Sequence, residues 1–160
     1  MKHSVSPEQL SELQFERVWV REASFLDIEG EQSAIPAQDL QGVSIHLEVK
    51  VGLSAQGDKA AVVVRASLEP NPGQRLFLKL GAAVEGLFAL RGHPDRRRLE
   101  EFATTQAPVL LVPYLRQVIT TLTAQSRVGA IVLPPLNMLE ITKAMRSEVG
   151  RTAVEASTQP

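Results

Sequence analysis

Ala107 to Met138 reads APVLLVPYLRQVITTLTAQSRVGAIVLPPLNM, and the rest of the chain is organised around it. Leu111, Leu115, Val118, Ile119 and Leu122 recur at the spacing that puts them on one face of a helix. Arg116, Gln117, Thr120, Thr121 and Thr123 fall between them and face elsewhere. Pro108 fits a helix start, where the first amides have no intrahelical partner. Pro113 leaves two arrangements: a helix that begins just before it, or a helix kinked at it. The first is favoured. Gly129 suits the left-handed position that closes a helix. Then Ile131-Val132-Leu133-Pro134-Pro135-Leu136-Asn137-Met138 carries two prolines that exclude both helix interior and central strand, which predicts a stiff, extended apolar segment. A helix followed by such a segment can form one wall of a groove.

Working outward, the stretch before this helix holds strands. Val43 to Val51 alternates Val, Ile, Leu, Val, Val against Ser44, His46, Glu48 and Lys50, the pattern of a strand with one covered face. Ser54 to Asp58 reads as a hairpin loop, Ala60 to Glu69 as a valine-rich strand, and Pro70-Asn71-Pro72-Gly73 as a turn. Gln74 to Val84 reads as a further strand, with a bulge near its glycines, Gly81 and Gly86. Upstream, Phe15 to Leu26 alternates with Phe15, Trp19, Ala23 and Phe25 on one side and Val18, Val20, Leu26, Glu16, Glu22 and Ser24 on the other. Apolar residues on both faces imply cover on both faces. Asp27 to Gln41 is longer than a hairpin needs. Asp95 to Thr104 predicts a short helix with Leu99, Phe102 and Ala103 inward, and Met138 to Val149 a helix ended by Gly150. Strands first and helices second define an α+β fold: a four-stranded antiparallel sheet with helices on one face. The domain spans 13–149, between a flexible arm over 1–12 and a flexible tail over 150–160.

At 160 residues, 44% apolar and 22% charged, the composition is that of an ordinary globular domain. A net charge of −1 offers no electrostatic case for nucleic acid or an anionic membrane. The absence of Cys excludes disulfides and thiol chemistry. No apolar run reaches the ~20 residues of a membrane span, and the N-terminus lacks an export signal's apolar core, so a cytoplasmic location is expected. His3, His46 and His93 lack metal-ligand spacing. No nucleophile elbow, phosphate loop or dinucleotide fingerprint occurs. No catalytic residue, metal site or cofactor is expected. The pattern favours a binding module over an enzyme, with a non-catalytic oligomeric scaffold or small-ligand binder as a further alternative.

Several of these stretches resemble the SecB export-chaperone family. Leu111-Val112-Pro113-Tyr114-Leu115-Arg116 is similar to its L-F-P-Y-A-R, and Leu133-Pro134-Pro135-Leu136-Asn137 to its L-P-P-V-N. Arg17-Val18-Trp19 through Ser24-Phe25 resembles its first strand, R-I-Y followed by S-F, and Gly86-Leu87-Phe88 resembles G-I-F. The resemblance implies a long crossover between strands 1 and 2. It also implies a homotetramer built as a dimer of dimers, and ATP-independent holding of unfolded polypeptides in apolar grooves. On it, Ile35 and Leu40 fall in the crossover loop and line one side of the groove, while Tyr114, Leu136 and Met138 match the other. Glu22 matches an acid that docks a SecA-type motor, but Leu26, Lys79 and Leu80 stand where further acids are expected. Motor docking is therefore expected to be weak, and a SecB-like chaperone dedicated to one client, such as an antitoxin of a toxin–antitoxin system, is the alternative.

Overall fold

The computed structural model describes residues 13–27, 43–71, 78–126 and 129–137. Four strands, β1 (Leu13–Asp27), β2 (Val43–Leu53), β3 (Lys59–Pro70) and β4 (Leu78–Leu90), precede two helices, α1 (Arg96–Thr105) and α2 (Ala107–Ala124). The strands form one antiparallel sheet in the order β1-β4-β3-β2. β2, β3 and β4 are a meander, whereas β1 and β2, consecutive in sequence, lie at opposite edges: this is the long crossover. The crossover residues 28–42, the arm, the helix expected over Met138–Val149 and the tail lie outside the described residues.

Alternation builds the core directly. In β2 the Val43, Ile45, Leu47, Val49 set pairs with Pro70, Leu68, Ala66 and Val64 of β3, all on one face. Val62, Val64, Ala66 and Leu68 of β3 and Leu80, Ala82, Val84 and Phe88 of β4 continue that face and are almost fully buried. Both helices cover it, with Leu99 and Ala103 of α1 and Leu111, Leu115 and Ile119 of α2 at 0% exposure. Each such Leu or Ile contributes roughly 1.5–3 kcal/mol of burial before ordering costs. The β2–β3 turn is closed by Ser54, whose Oγ accepts from the Asp58 and Lys59 amides and donates to Asp58 Oδ1 at 2.7 Å. That hydroxyl bond holds the Asp58 carboxyl below its ordinary pKa.

Four expectations are corrected. β4 runs to Leu90 and does not stop at Val84, pairing without a break to β1 and β3 through Gly86. Gly86 is a seat: a Cβ there would lie 2.6 Å from Leu111 Cδ2, so the missing side chain lets α2 approach the sheet. The bulges lie in β1, between Phe15 and Arg17 and between Val20 and Glu22. They shift its alternation, so Phe15, Val18, Val20, Ala23 and Phe25 pair with the helix-covered face of β4, and Trp19, on the exposed edge strand, stands opposite Glu85. Pro113 is inside α2, which already begins at Ala107 with Pro108 in its first turn. Pro113 is solvent-exposed, as is Val109, whose carbonyl it leaves without an amide partner, so water can take that carbonyl. Gly129 does adopt positive φ (80°), but in a turn beyond the helix end, its amide donating to Ser126 O at 3.1 Å.

Asp95 caps α1, its Oδ1 accepting from the Arg98 amide at 3.0 Å. Leu99, Phe102 and Ala103 are buried, as their spacing predicts.

Candidate binding surfaces around helix α2

The two flanks of α2 differ in what they meet. On one, the segment after the helix returns antiparallel to it and is held by side chains. Thr120 Oγ1 donates to Ile131 O at 3.0 Å, the Ile131 amide donates to Thr123 Oγ1 at 2.8 Å, and Arg116 Nη2 donates to Pro134 O at 2.7 Å. A segment with two prolines lacks the amides for a strand ladder, so side-chain donors take over. Along it Ile131 and Leu133 are buried, while Val132 between them is 63% exposed. Leu136 is half-buried against the core. Thr123, fully buried, also donates to Ile119 O at 2.8 Å, so its hydroxyl serves helix and segment at once.

On the other flank, α2 faces edge strand β1. Tyr114, Val118 and Leu122 line an open groove of about 560 Å³ with Val18, Trp19 and Val20. Phe15 stacks on Phe88 (centroids 4.9 Å, planes 12° apart) and meets Tyr114 edge-on at 5.8 Å. Phe15, Trp19, Val20 and Tyr114 are all more than a third exposed. Gln117, Thr121 and Gln125 also line the groove; exposed apolar side chains on an edge strand and its neighbouring helix are the kind of surface that proteins normally cover.

The sheet's other face is polar. A trough of about 600 Å³ lies over Ala61, Val63 and Ala83, rimmed by Arg21, Glu22, Glu48, Lys50, Arg65 and Glu85. Its charges compensate one another: Arg65 Nη2 meets Glu22 Oε1 at 2.9 Å, Arg21 Nη1 meets Glu85 Oε2 at 2.9 Å, and Lys50 meets Glu48 at 3.0 Å. Lys79 pairs with Glu69 at 3.4 Å.

Of the residues singled out from sequence, Tyr114 lies on the β1 flank and Leu136 in the returning segment. Arg116, two residues after Tyr114 and so about 200° around the helix, marks the segment's flank. Glu22 is on the polar face, paired with Arg65. Ile35, Leu40 and Met138 lie outside the described residues. The pattern of the helix set Arg116 and Thr123 off the apolar face; Thr123 is instead fully buried, one turn beyond Ile119 on the buried stripe, where its hydroxyl is satisfied by Ile119 O and the Ile131 amide. Among the described residues no three His, Asp or Glu side chains are grouped to hold a metal ion, and no helix is long and apolar enough to cross a membrane.

This arrangement, a four-stranded crossover sheet with a long helix and a returning proline segment, defines an α+β domain with open apolar surfaces. The chain matches the family described as preprotein translocase subunit SecB over residues 6–148, and it belongs to that family. The protein-export protein SecB of Paramagnetospirillum magneticum is 26% identical over 127 residues, 79% of this chain and 74% of that protein. The protein of the same description from Alcanivorax borkumensis is 21% identical over 154 residues, 95% and 97% of the two chains. The structure of a Mycobacterium tuberculosis SecB-like chaperone, solved in complex with an antitoxin peptide, has the same fold. Its TM-score is 0.58 at 18% identity, covering 78% of this chain and 91% of that one.

Proposed function

We propose that this chain is a protein-export-type chaperone that holds unfolded polypeptides in apolar grooves without ATP. Membership of the SecB family supports the class. The observation that carries the mechanism is the returning segment, fixed to α2 by side chains while Val132 stays 63% exposed. An extended client laid along such a wall gains apolar contacts with little demand on its own sequence. Leu136 belongs to this wall, and Ile35, Leu40 and Met138 complete the client groove in this reading. Each client side chain buried there contributes ~1.5–3 kcal/mol before ordering costs, so several linked grooves are needed to retain a long chain.

A homotetramer, a dimer of dimers in the cytoplasm, supplies those linked grooves. The apolar β1 edge and the α2 groove beside it are the surfaces its contacts would cover. Tyr114, which meets Phe15 there, is then a candidate for the subunit contact as well as for the client groove.

The polar face favours a second reading of the client range. Glu22 is already paired with Arg65, and Lys79 stands where an acid is expected, so the face has little uncompensated negative charge for a SecA-type motor. A chaperone dedicated to one client, such as an antitoxin, needs no such docking.

The test is suppression of aggregation of an unrelated unfolded protein in the absence of nucleotide. The native chain should suppress it, and Leu40→Asp combined with Met138→Asp should abolish the effect with melting temperature and oligomer mass unchanged. If the double variant unfolds or dissociates, those residues are core or interface and the groove assignment fails.

A further inference from the structure

We infer that Arg116 is the positioning residue of the client-facing wall: its guanidinium, at the proline end of the returning segment, sets where Pro134 to Leu136 lie relative to α2. This rests on the client-holding reading above and names a determinant within it. Side chains of α2 reach the segment at Ile131 and at Pro134. At Ile131 the anchor is double and buried, with the amide on Thr123 Oγ1 and the carbonyl on Thr120 Oγ1. Neither Pro134 nor Pro135 has an amide to give, so the backbone of this pair is held through a carbonyl and a donor from elsewhere. Arg116 Nη2 is that donor, 2.7 Å from Pro134 O and 18 residues away in sequence.

The guanidinium is also placed at a cost. Arg116 is half-buried, and its Nε is shielded from water with no hydrogen-bond partner. A surface arginine with no task at Pro134 would extend its head to solvent and keep every donor hydrated. Here the charge is spent on a neutral carbonyl of the segment. A carbonyl bonded to a charged donor is held more strongly than one bonded to a neutral donor. Between the two anchors, Ile131 and Leu133 point inward and Val132 outward, so the clamp decides how far the exposed edge stands from the helix. Loosening it leaves the buried anchor in place and removes the charged bond that positions the end a client would touch.

Arg116→Met keeps the apolar stem and removes the donors; Arg116→Lys keeps one charged donor. The probe is a fluorescently labelled, reduced and carboxymethylated lactalbumin, permanently unfolded. Its affinity is read beside circular dichroism, oligomer mass and amide hydrogen exchange. With the native chain binding the probe, Arg116→Met should bind it about tenfold more weakly, the value of one charge-assisted hydrogen bond at its lower end. Exchange should quicken at Leu133 and Leu136 and not along the buried face of α2. Arg116→Lys should recover part of the affinity. Native binding with an unchanged affinity and unchanged exchange in Arg116→Met overturns the inference and leaves the client-holding reading intact. Failure of the native chain to bind overturns that reading itself. If Arg116→Met does not fold, Arg116→Lys decides: its single bond should leave a loss of roughly threefold, and full native affinity together with native exchange rates rejects the clamp.

Discussion

Both flanks of α2 carry apolar side chains, yet they are built on opposite principles. Toward β1 the contacts are ring on ring and aliphatic on aliphatic, with Phe15, Trp19, Val20 and Tyr114 left partly in water. Toward the returning segment the contacts that fix geometry are polar, from Arg116, Thr120 and Thr123 to backbone atoms. Apolar contact alone is non-directional and can be satisfied by any surface of fitting shape. Hydrogen bonds to backbone specify position. The difference teaches that one flank is made to be covered and the other to be held still while something else is covered by it. This is the physical basis for assigning subunit association to the first and client contact to the second.

Changes on the β1 flank should have the largest effect. Trp19→Asp with Val20→Asp puts two charges on the exposed edge strand, and light scattering at micromolar concentration should fall from about four chain masses to a smaller species. Persistence of the native mass would remove this flank from the interface. Next in size is Thr123→Val, isosteric and fully buried. It leaves the Ile131 amide without its acceptor, and urea denaturation should show a loss of about 1–3 kcal/mol. An unchanged midpoint would mean that the segment is held by its apolar contacts alone. Smallest is Glu22→Ala. The Arg65 pair is exposed on both sides, so stability should change by no more than ~1 kcal/mol. Affinity for a SecA-type motor, weak at the outset, should barely move; tight native binding lost in this variant would show that one paired acid is enough to dock.

Much of the sheet was legible because its strands obey a simple period. β2 has one face toward the core and one toward water, so its side chains alternate by type and its limits follow within two residues. The same logic misled in β1, where bulges at two places shift the alternation and set Trp19 opposite Glu85. A bulge leaves no mark in composition. Gly86 reads as the mark of a bulge when only its backbone freedom is considered. Its role is the space it leaves for Leu111, a contact 25 positions on in sequence that no local pattern contains. Pro113 reads as a helix start because its missing amide is costly in an interior, and the cost is met on the solvent side of α2.

The candidate site divided in the same way. Motif resemblance marked Tyr114, Arg116 and the L-P-P-x-N element as belonging together. It could not tell that the first faces β1 while the second reaches Pro134, because that depends on where the chain turns at Ser126 and Gly129. Glu22 was legible as an acid on the sheet; its pairing with Arg65 needs the register of three strands.

The assignment of the two flanks is tested most directly by photo-crosslinking. A benzophenone amino acid is placed at Val132 in one protein and at Trp19 in another, each illuminated with labelled, permanently unfolded client present. The account predicts that position 132 captures the client and position 19 captures a second copy of the chain. Client captured at position 19 with position 132 silent would contradict it.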